Sequence, residues 1–138
     1  EAANSLSLFG KVSISHLVLS FCQDDHWLVR RSILAALEEL DCPQELVEVC
    51  TEALAGEDLT VKEAAIDALG SLVNSSQHAP VLAQLLALTQ SESARIRTRV
   101  ALALQKFDDP QAQEASIELR QDPNYKVVAA TLEDLLDR

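Results

Sequence analysis

Four stretches of this chain carry the same apolar pattern, and that repetition limits the fold more than any other feature. Residues 25–40 read DHWLVRRSILAALEEL, 59–72 LTVKEAAIDALGSL, 92–107 ESARIRTRVALALQKF and 122–137 DPNYKVVAATLEDLLD. A β-branched residue anchors each one, at Val29, Val61, Ile96 and Val127, with intervals of 32, 35 and 31 residues. A period of that length holds two helices and two turns, and it marks an array of stacked units.

Within each unit the apolar residues follow helical spacing. In the second they are Val61, Ala64, Ala65, Ala68, Leu69 and Leu72, which lie on one face of a 3.6-residue helix. The first gives Val29, Ser32, Ile33, Ala36, Leu37 and Leu40. The third gives Ile96, Val100, Ala103, Leu104 and Phe107, with Arg99 interrupting the stripe. The pairs Ala36–Leu37, Ala68–Leu69 and Ala103–Leu104 recur. A small side chain lets a neighbouring helix come close, and the leucine fills the groove beside it.

Each of these helices follows another. The first partner is expected from about Ser5 or Val12 to Cys22. The second opens at Pro43 and ends at Gly56, burying Leu46, Cys50, Ala53 and Leu54 and exposing Glu45, Glu48 and Glu52. The third spans about Ala79 to Gln90. The fourth opens at Pro110, capped by Asp109, and runs to about Gln121. Asp122 and Pro123 repeat that device for the last helix. The sequence therefore predicts an all-α fold, an α–α superhelix (solenoid) of four helical hairpins. It forms one domain over 1–138, with units at about 5–40, 41–73, 76–107 and 109–138. One hairpin cannot bury its apolar face alone, but a stack can. In the last unit Asp134 and Arg138 fall where other units are apolar. That helix either presents a polar terminal face or is turned to bury Val128, Leu132, Leu135 and Leu136.

Composition narrows the function classes. The formal net charge is −11, and a field of that sign disfavours nucleic acid and anionic membrane surfaces. Cys22, Cys42 and Cys50 are odd in number and irregularly spaced, which suits a reducing, cytoplasmic setting better than a disulfide framework. No CxxC or HxxxH pair suggests zinc. Residues 68–91 lack any Asp, Glu, Lys or Arg, but NSSQH in their middle reads as a loop, so a membrane span is not expected. The chain has no methionine and begins EAAN, as expected of a segment from a longer protein.

The unit acidic–x–x–x–Val–Arg–x–x–Ala–x–x–Ala–Leu–Gly resembles a HEAT repeat, of the shorter kind first noted in phycobilisome lyases. Asp25, Val29, Arg30, Ala36 and Leu37 carry the resemblance in the first unit. Glu57, Val61, Lys62, Ala64, Ala68, Leu69 and Gly70 carry it in the second, and Glu92, Ile96, Arg97, Ala103 and Leu104 in the third. The fourth keeps Asp122, Val127, Ala130 and Leu135 but has Val128 at the basic position and Asp134 at the small one. The resemblance implies a structural ladder in which Asp25, Arg30, Glu57, Lys62, Glu92 and Arg97 join neighbouring repeats. It also implies that the second helices line a concave surface. The side chains beside the packing stripe would then meet a partner: Arg31, Leu34 and Glu38, then Glu63, Ile66 and Asp67, then Thr98, Ala101 and Gln105. Trp27 and Tyr125 stand at equivalent helix starts, where exposed aromatics serve as anchors; the alternative is that they staple the turn before each helix.

No candidate for catalysis emerges. His16, His26 and His78 include no His–Glu pair of the kind used by metal-binding hydroxylases of this architecture. Asp24 and Asp25 read as helix caps. Arg95, Arg97, Arg99 and Lys106 make the third unit locally basic, too little for a nucleic-acid groove in so acidic a chain. Ten acidic residues lie between Glu38 and Asp67, against one basic residue, Lys62. The expected function is a non-enzymatic scaffold or adaptor that binds another protein through its helical face, with no cofactor. The alternatives are a lyase-like chaperone subunit and, after it, a nucleic-acid-binding domain.

Overall fold

A computed structural model describes residues 2–133 of the chain, with side chains described from residue 13 onward. Eight helices occur among them and no strand. They are α1 (Ala2–Gln23), α2 (Trp27–Glu39), α3 (Pro43–Ala55), α4 (Leu59–Gly70), α5 (His78–Leu88), α6 (Ala94–Leu104), α7 (Pro110–Leu119) and α8 (Tyr125–Thr131). They form successive hairpins, which is the all-α class of α–α solenoids. Leu135 and Leu136, and the stripe-breaking Asp134 and Arg138, lie outside the described residues.

The chain divides into two compact units, Glu1–Ala68 and Leu69–Arg138. In the first, α1 packs on α2 and on α3, and α2 packs on α3. The thiol of Cys50 on α3 donates to the Ala65 carbonyl oxygen of α4 at 3.5 Å. In the second unit α5 lies against α7 and α6 against α8, while α5–α6, α6–α7 and α7–α8 also touch. First helices thus form one layer there and second helices another.

Local chemistry explains where the helices begin. α3 and α7 open with proline, whose missing N–H would be unsatisfied at a helix start in any case. The second helix of every hairpin instead opens on a side-chain acceptor. His26 accepts from the Leu28 amide at 3.2 Å, Asp58 from Val61 at 3.0 Å, Ser93 from Ile96 at 3.4 Å and Asn124 from Lys126 at 2.9 Å. Each capping residue stands three positions before the β-branched anchor, so the caps repeat with the anchors' period.

Burial follows the small-residue logic. Ala65, Ala68, Leu69, Val100, Ala101 and Ala112 are fully enclosed. In the second unit a methyl group added to Gly70 would lie 3.2 Å from the Ala103 Cβ, closer than packed side chains normally sit. Gly70 itself therefore lets Ala103 come close within the second unit. α3 buries Leu46, Cys50 and Ala53 as expected and adds Val47 and Val49, whereas Leu54, expected inside, and Glu45, expected outside, are both half-buried.

Several expectations need correction. Val29 is 37% exposed, whereas the equivalent Val61, Ile96 and Val127 are enclosed, and Ser32 is exposed as well. α2 is covered by α1 and α3 through Ile33, Leu34 and Leu37 and leaves its first turn outside that contact. Asp109 occupies the N-cap position of α7 without a side-chain capping bond. Asn124, and not Asp122, caps α8. Val127, Ala130 and Thr131 are buried on α8 while Val128 and Leu132 are half-buried, so this helix keeps the stripe of the other units over its described length.

Replacing Ala68 by leucine inserts three carbons into an enclosed site and should cost about 1–3 kcal/mol. A urea denaturation midpoint unchanged from wild type would show that Ala68 does not separate packed helices.

Candidate functional site

The polar residues singled out in the sequence fall into two groups, those joined to the fold and those facing solvent. Arg30 and Arg97 belong to the first. Arg30 Nε donates to the Asp24 carbonyl oxygen at 2.8 Å, and its guanidinium lies 4.7 Å from the centroid of the buried Phe21 ring. Arg97 donates through Nη1 to the Ser91 carbonyl oxygen at 2.8 Å. Both arginines follow the anchor residue, and both reach back to a carbonyl six residues earlier. Each therefore closes the turn of its own hairpin.

Arg97 also reaches forward. Its Nε and Nη2 donate to the two carboxylate oxygens of Asp122 at 2.7 and 3.2 Å, a bidentate pair with both side chains largely enclosed. Asp122 in turn accepts from the Asn124 amide at 2.9 Å, which fixes the α7–α8 turn. The Arg97 guanidinium above all, and then the Asn124 amide, hold the Asp122 carboxyl below its ordinary range. In the first unit a methyl on Gly56 would lie 4.0 Å from Arg30 Nη1, so this guanidinium points to the α3–α4 turn. Asp25, Glu57 and Glu92 are exposed, and Lys62 is half-buried. The carboxylate that engages Arg97 is Asp122, at the start of the following repeat.

The residues expected to face a partner divide sharply. Leu34, Ile66 and Ala101 are buried, which removes all three from any binding surface. Each stands five residues after its anchor, on a flank covered by another helix; α6 alone touches α5, α7 and α8. Gln105 donates its side-chain amide to the Ala130 carbonyl oxygen, and Thr98 donates to the Ala94 carbonyl oxygen at 2.7 Å. Both serve the second unit internally. Arg31, Glu38 and Asp67 are exposed, and Glu63 is half-buried. Trp27 is 42% exposed with its ring stacked near His26, and Tyr125 is 76% exposed.

A cleft of about 340 Å³ in the second unit is lined by Thr89, Ser91, Arg97, Glu118, Asp122 and Pro123 among others. Its arginine and aspartate satisfy one another, so the cleft holds a structural ion pair. Among the described residues no three His, Cys, Asp or Glu side chains converge as a metal set. Cys42 and Cys50 are inert for a physical reason. Burial pushes both thiols up, with Glu45 and Asp41 adding to the effect at Cys42 and Glu38 at Cys50. Cys42 donates to the Leu37 carbonyl oxygen at 3.5 Å, and Cys22 is exposed.

One polar contact was not anticipated. His78, at the start of α5, places Nε2 2.8 and 2.9 Å from the two oxygens of Asp109. The residues are 31 positions apart, and no helical spacing links them.

Two outcomes follow. In the native chain a water-soluble thiol reagent should modify one of three cysteines, Cys22, and all three after denaturation; rapid native modification of two would place Cys42 or Cys50 at the surface. Because the Asp122 carboxyl is held low, its contribution to stability is present above its ordinary value of 3.8 and is lost as pH falls through the folded value. Asp122→Asn should therefore destabilise the chain at pH 7, by about 1–3 kcal/mol. That gap should narrow on acidification, as chemical denaturation at stepped pH would read.

A profile of the family of HEAT repeats matches residues 14–87 and, again, residues 47–137. No characterised protein and no solved structure gives a match. No described helix is long and apolar enough to cross a membrane. Hairpins at a period near 33 residues, anchor-linked arginines that close the turns, and a family match running through almost the whole of the described chain lead to one statement: this protein belongs to the HEAT repeat family.

Proposed function

We propose that the chain is a non-catalytic interaction module that binds another protein through exposed side chains of its second helices. The observation that carries this reading is on α2. Trp27, Arg31 and Glu38 are spaced i, i+4 and i+11, which puts them on one stripe, and all three are exposed. The apolar residues of the same helix that pack inward are Ile33, Leu34 and Leu37. An exposed tryptophan beside an arginine is the composition of a binding hot spot. Asp67 on α4 and the exposed Glu39, Asp41, Glu48 and Glu52 make the first unit acidic. A partner polypeptide carrying lysine or arginine beside an apolar side chain fits that chemistry. HEAT repeats commonly serve as protein-interaction scaffolds, and Arg97 and Asp122 in the cleft of the second unit are paired with one another. Tyr125 is a second candidate anchor, assigned to the second unit by itself.

The test is capture of partner polypeptides by the 138-residue chain, compared with Trp27→Ala and Arg31→Glu variants of unchanged helicity. Loss of a specifically retained polypeptide by about tenfold or more in both variants is expected. Retention unaffected by either removes the α2 stripe from the reading. Salt-sensitive DNA binding abolished by Arg95→Ala would instead favour a nucleic-acid role, and uptake of a bilin a lyase-like chaperone.

A further inference from the structure

His78 is set among acceptors in a way that a neutral imidazole cannot satisfy. Its Nδ1 faces the carbonyl oxygen of Val73 in the turn before α5, and its Nε2 faces both oxygens of Asp109 at 2.8 and 2.9 Å. The ring lies against Phe107 at 5.1 Å between centroids, tilted by 51°. A carbonyl and a carboxylate have no proton to offer. A neutral ring has one N–H, so it would turn a lone pair toward one of these oxygens. The imidazolium, with two N–H groups, donates to both.

Asp109 strengthens the case from the other side. It stands at the N-cap position of α7 with an extended backbone, where its carboxylate would ordinarily accept from an amide of the first turn; Pro110 has none and Ala112 donates to the Asp109 carbonyl oxygen at 3.0 Å, which leaves Gln111. No such bond is formed. The carboxylate is turned to His78 instead, 31 residues away. It thus has two competing sites, an imidazolium and a helix N-terminus.

We propose that His78 and Asp109 form a proton-operated clasp in the second unit. When the ring is protonated the clasp ties the turn before α5 to the start of α7; when the ring loses a proton, one N–H is left for two acceptors, the ion pair with Asp109 is gone, and the carboxylate is free to turn to the first turn of α7. Among the described residues, Asp109 is the charged group that faces the ring. Val73 contributes a carbonyl from the turn, and Phe107, just past α6, contributes an apolar face. Asp108 next to Asp109 is exposed. Both acceptors favour the charged ring, the Val73 carbonyl most and Asp109 next, and they raise the affinity of His78 for its proton above the ordinary value of 6.5. The sign follows. A raised histidine contributes stability that is fully present below 6.5 and is lost as pH rises through the folded value. Both side chains are about a third exposed, so solvent protons reach them without opening the fold.

Ring nitrogen resonances of the isotopically labelled chain test this, with His78→Gln used to assign His78 against His16 and His26. The expected result is a His78 midpoint above 6.5 that falls in Asp109→Asn. The backbone amide of Gln111 should shift with the same midpoint in wild type, because the Ala112 and Gln113 amides already donate to the Asp109 carbonyl oxygen at 3.0 and 3.1 Å. A His78 midpoint at or below 6.5 overturns the proposal, as does one that Asp109→Asn leaves in place. Should the asparagine variant not fold, a Gln111 amide in wild type that does not move with His78 overturns it equally.

Discussion

Close approach of helix backbones is the constraint on which the rest of this protein depends. The chain has few aromatic residues, so its core is filled by aliphatic side chains and by alanine. Ala65, Ala68, Ala101 and Ala112 are wholly enclosed. Gly70 sits so near Ala103 that even a methyl group would press on it. Dispersion energy falls steeply with separation, so helices that bury small residues gain contact along their whole length. They also lose tolerance, because no slack remains to accept an extra carbon. The bulky anchors Val61, Ile96 and Val127 then fix how far each helix is turned about its own axis.

The turns are held by a second, polar mechanism. Arg30 and Arg97 return to carbonyl oxygens of their own hairpin turns, and Arg97 also grips Asp122. Four different residue types, histidine, aspartate, serine and asparagine, cap the second helices at one register. The repeat thus preserves an acceptor at a fixed place and not a particular side chain. Apolar packing sets the distance between helices, and these bonds set where each helix starts.

This division accounts for what could be read from the sequence. Apolar period, proline at Pro43 and Pro110 and glycine at Gly56 are local signals, and they placed the hairpins. Leu34, Ile66 and Ala101 lie beside the stripe that the apolar spacing predicts, yet they are buried. A helix touched from two or three sides buries its flanks too, and the number of neighbours is not a local property. Acidic residues beside prolines or helix starts point to caps at Asp24, Asp25, Asp109 and Asp122, but His26, Asp58, Ser93 and Asn124 cap the second helices, and their common place three positions before each anchor is the signal that locates them. The His78–Asp109 pair had no sequence signature at all, since it arises from the packing of α5 beside α7.

The exposed Val29 has a consequence for how this fold breathes. Leu28 and Val29 begin α2 at 51% and 37% exposure, so the first turn of that helix draws little from the hydrophobic effect. What holds it is electrostatic: the imidazole acceptor of His26, and Arg30 bonded to a carbonyl while resting on Phe21. Such bonds have water as a ready substitute, whereas buried methyl groups do not. The amides at the start of α2 are therefore the ones that exchange with solvent by small local openings, while those beneath Leu37 and Phe21 wait for larger ones. Trp27, which begins the same turn, rests on that polar footing and not on buried methyl groups.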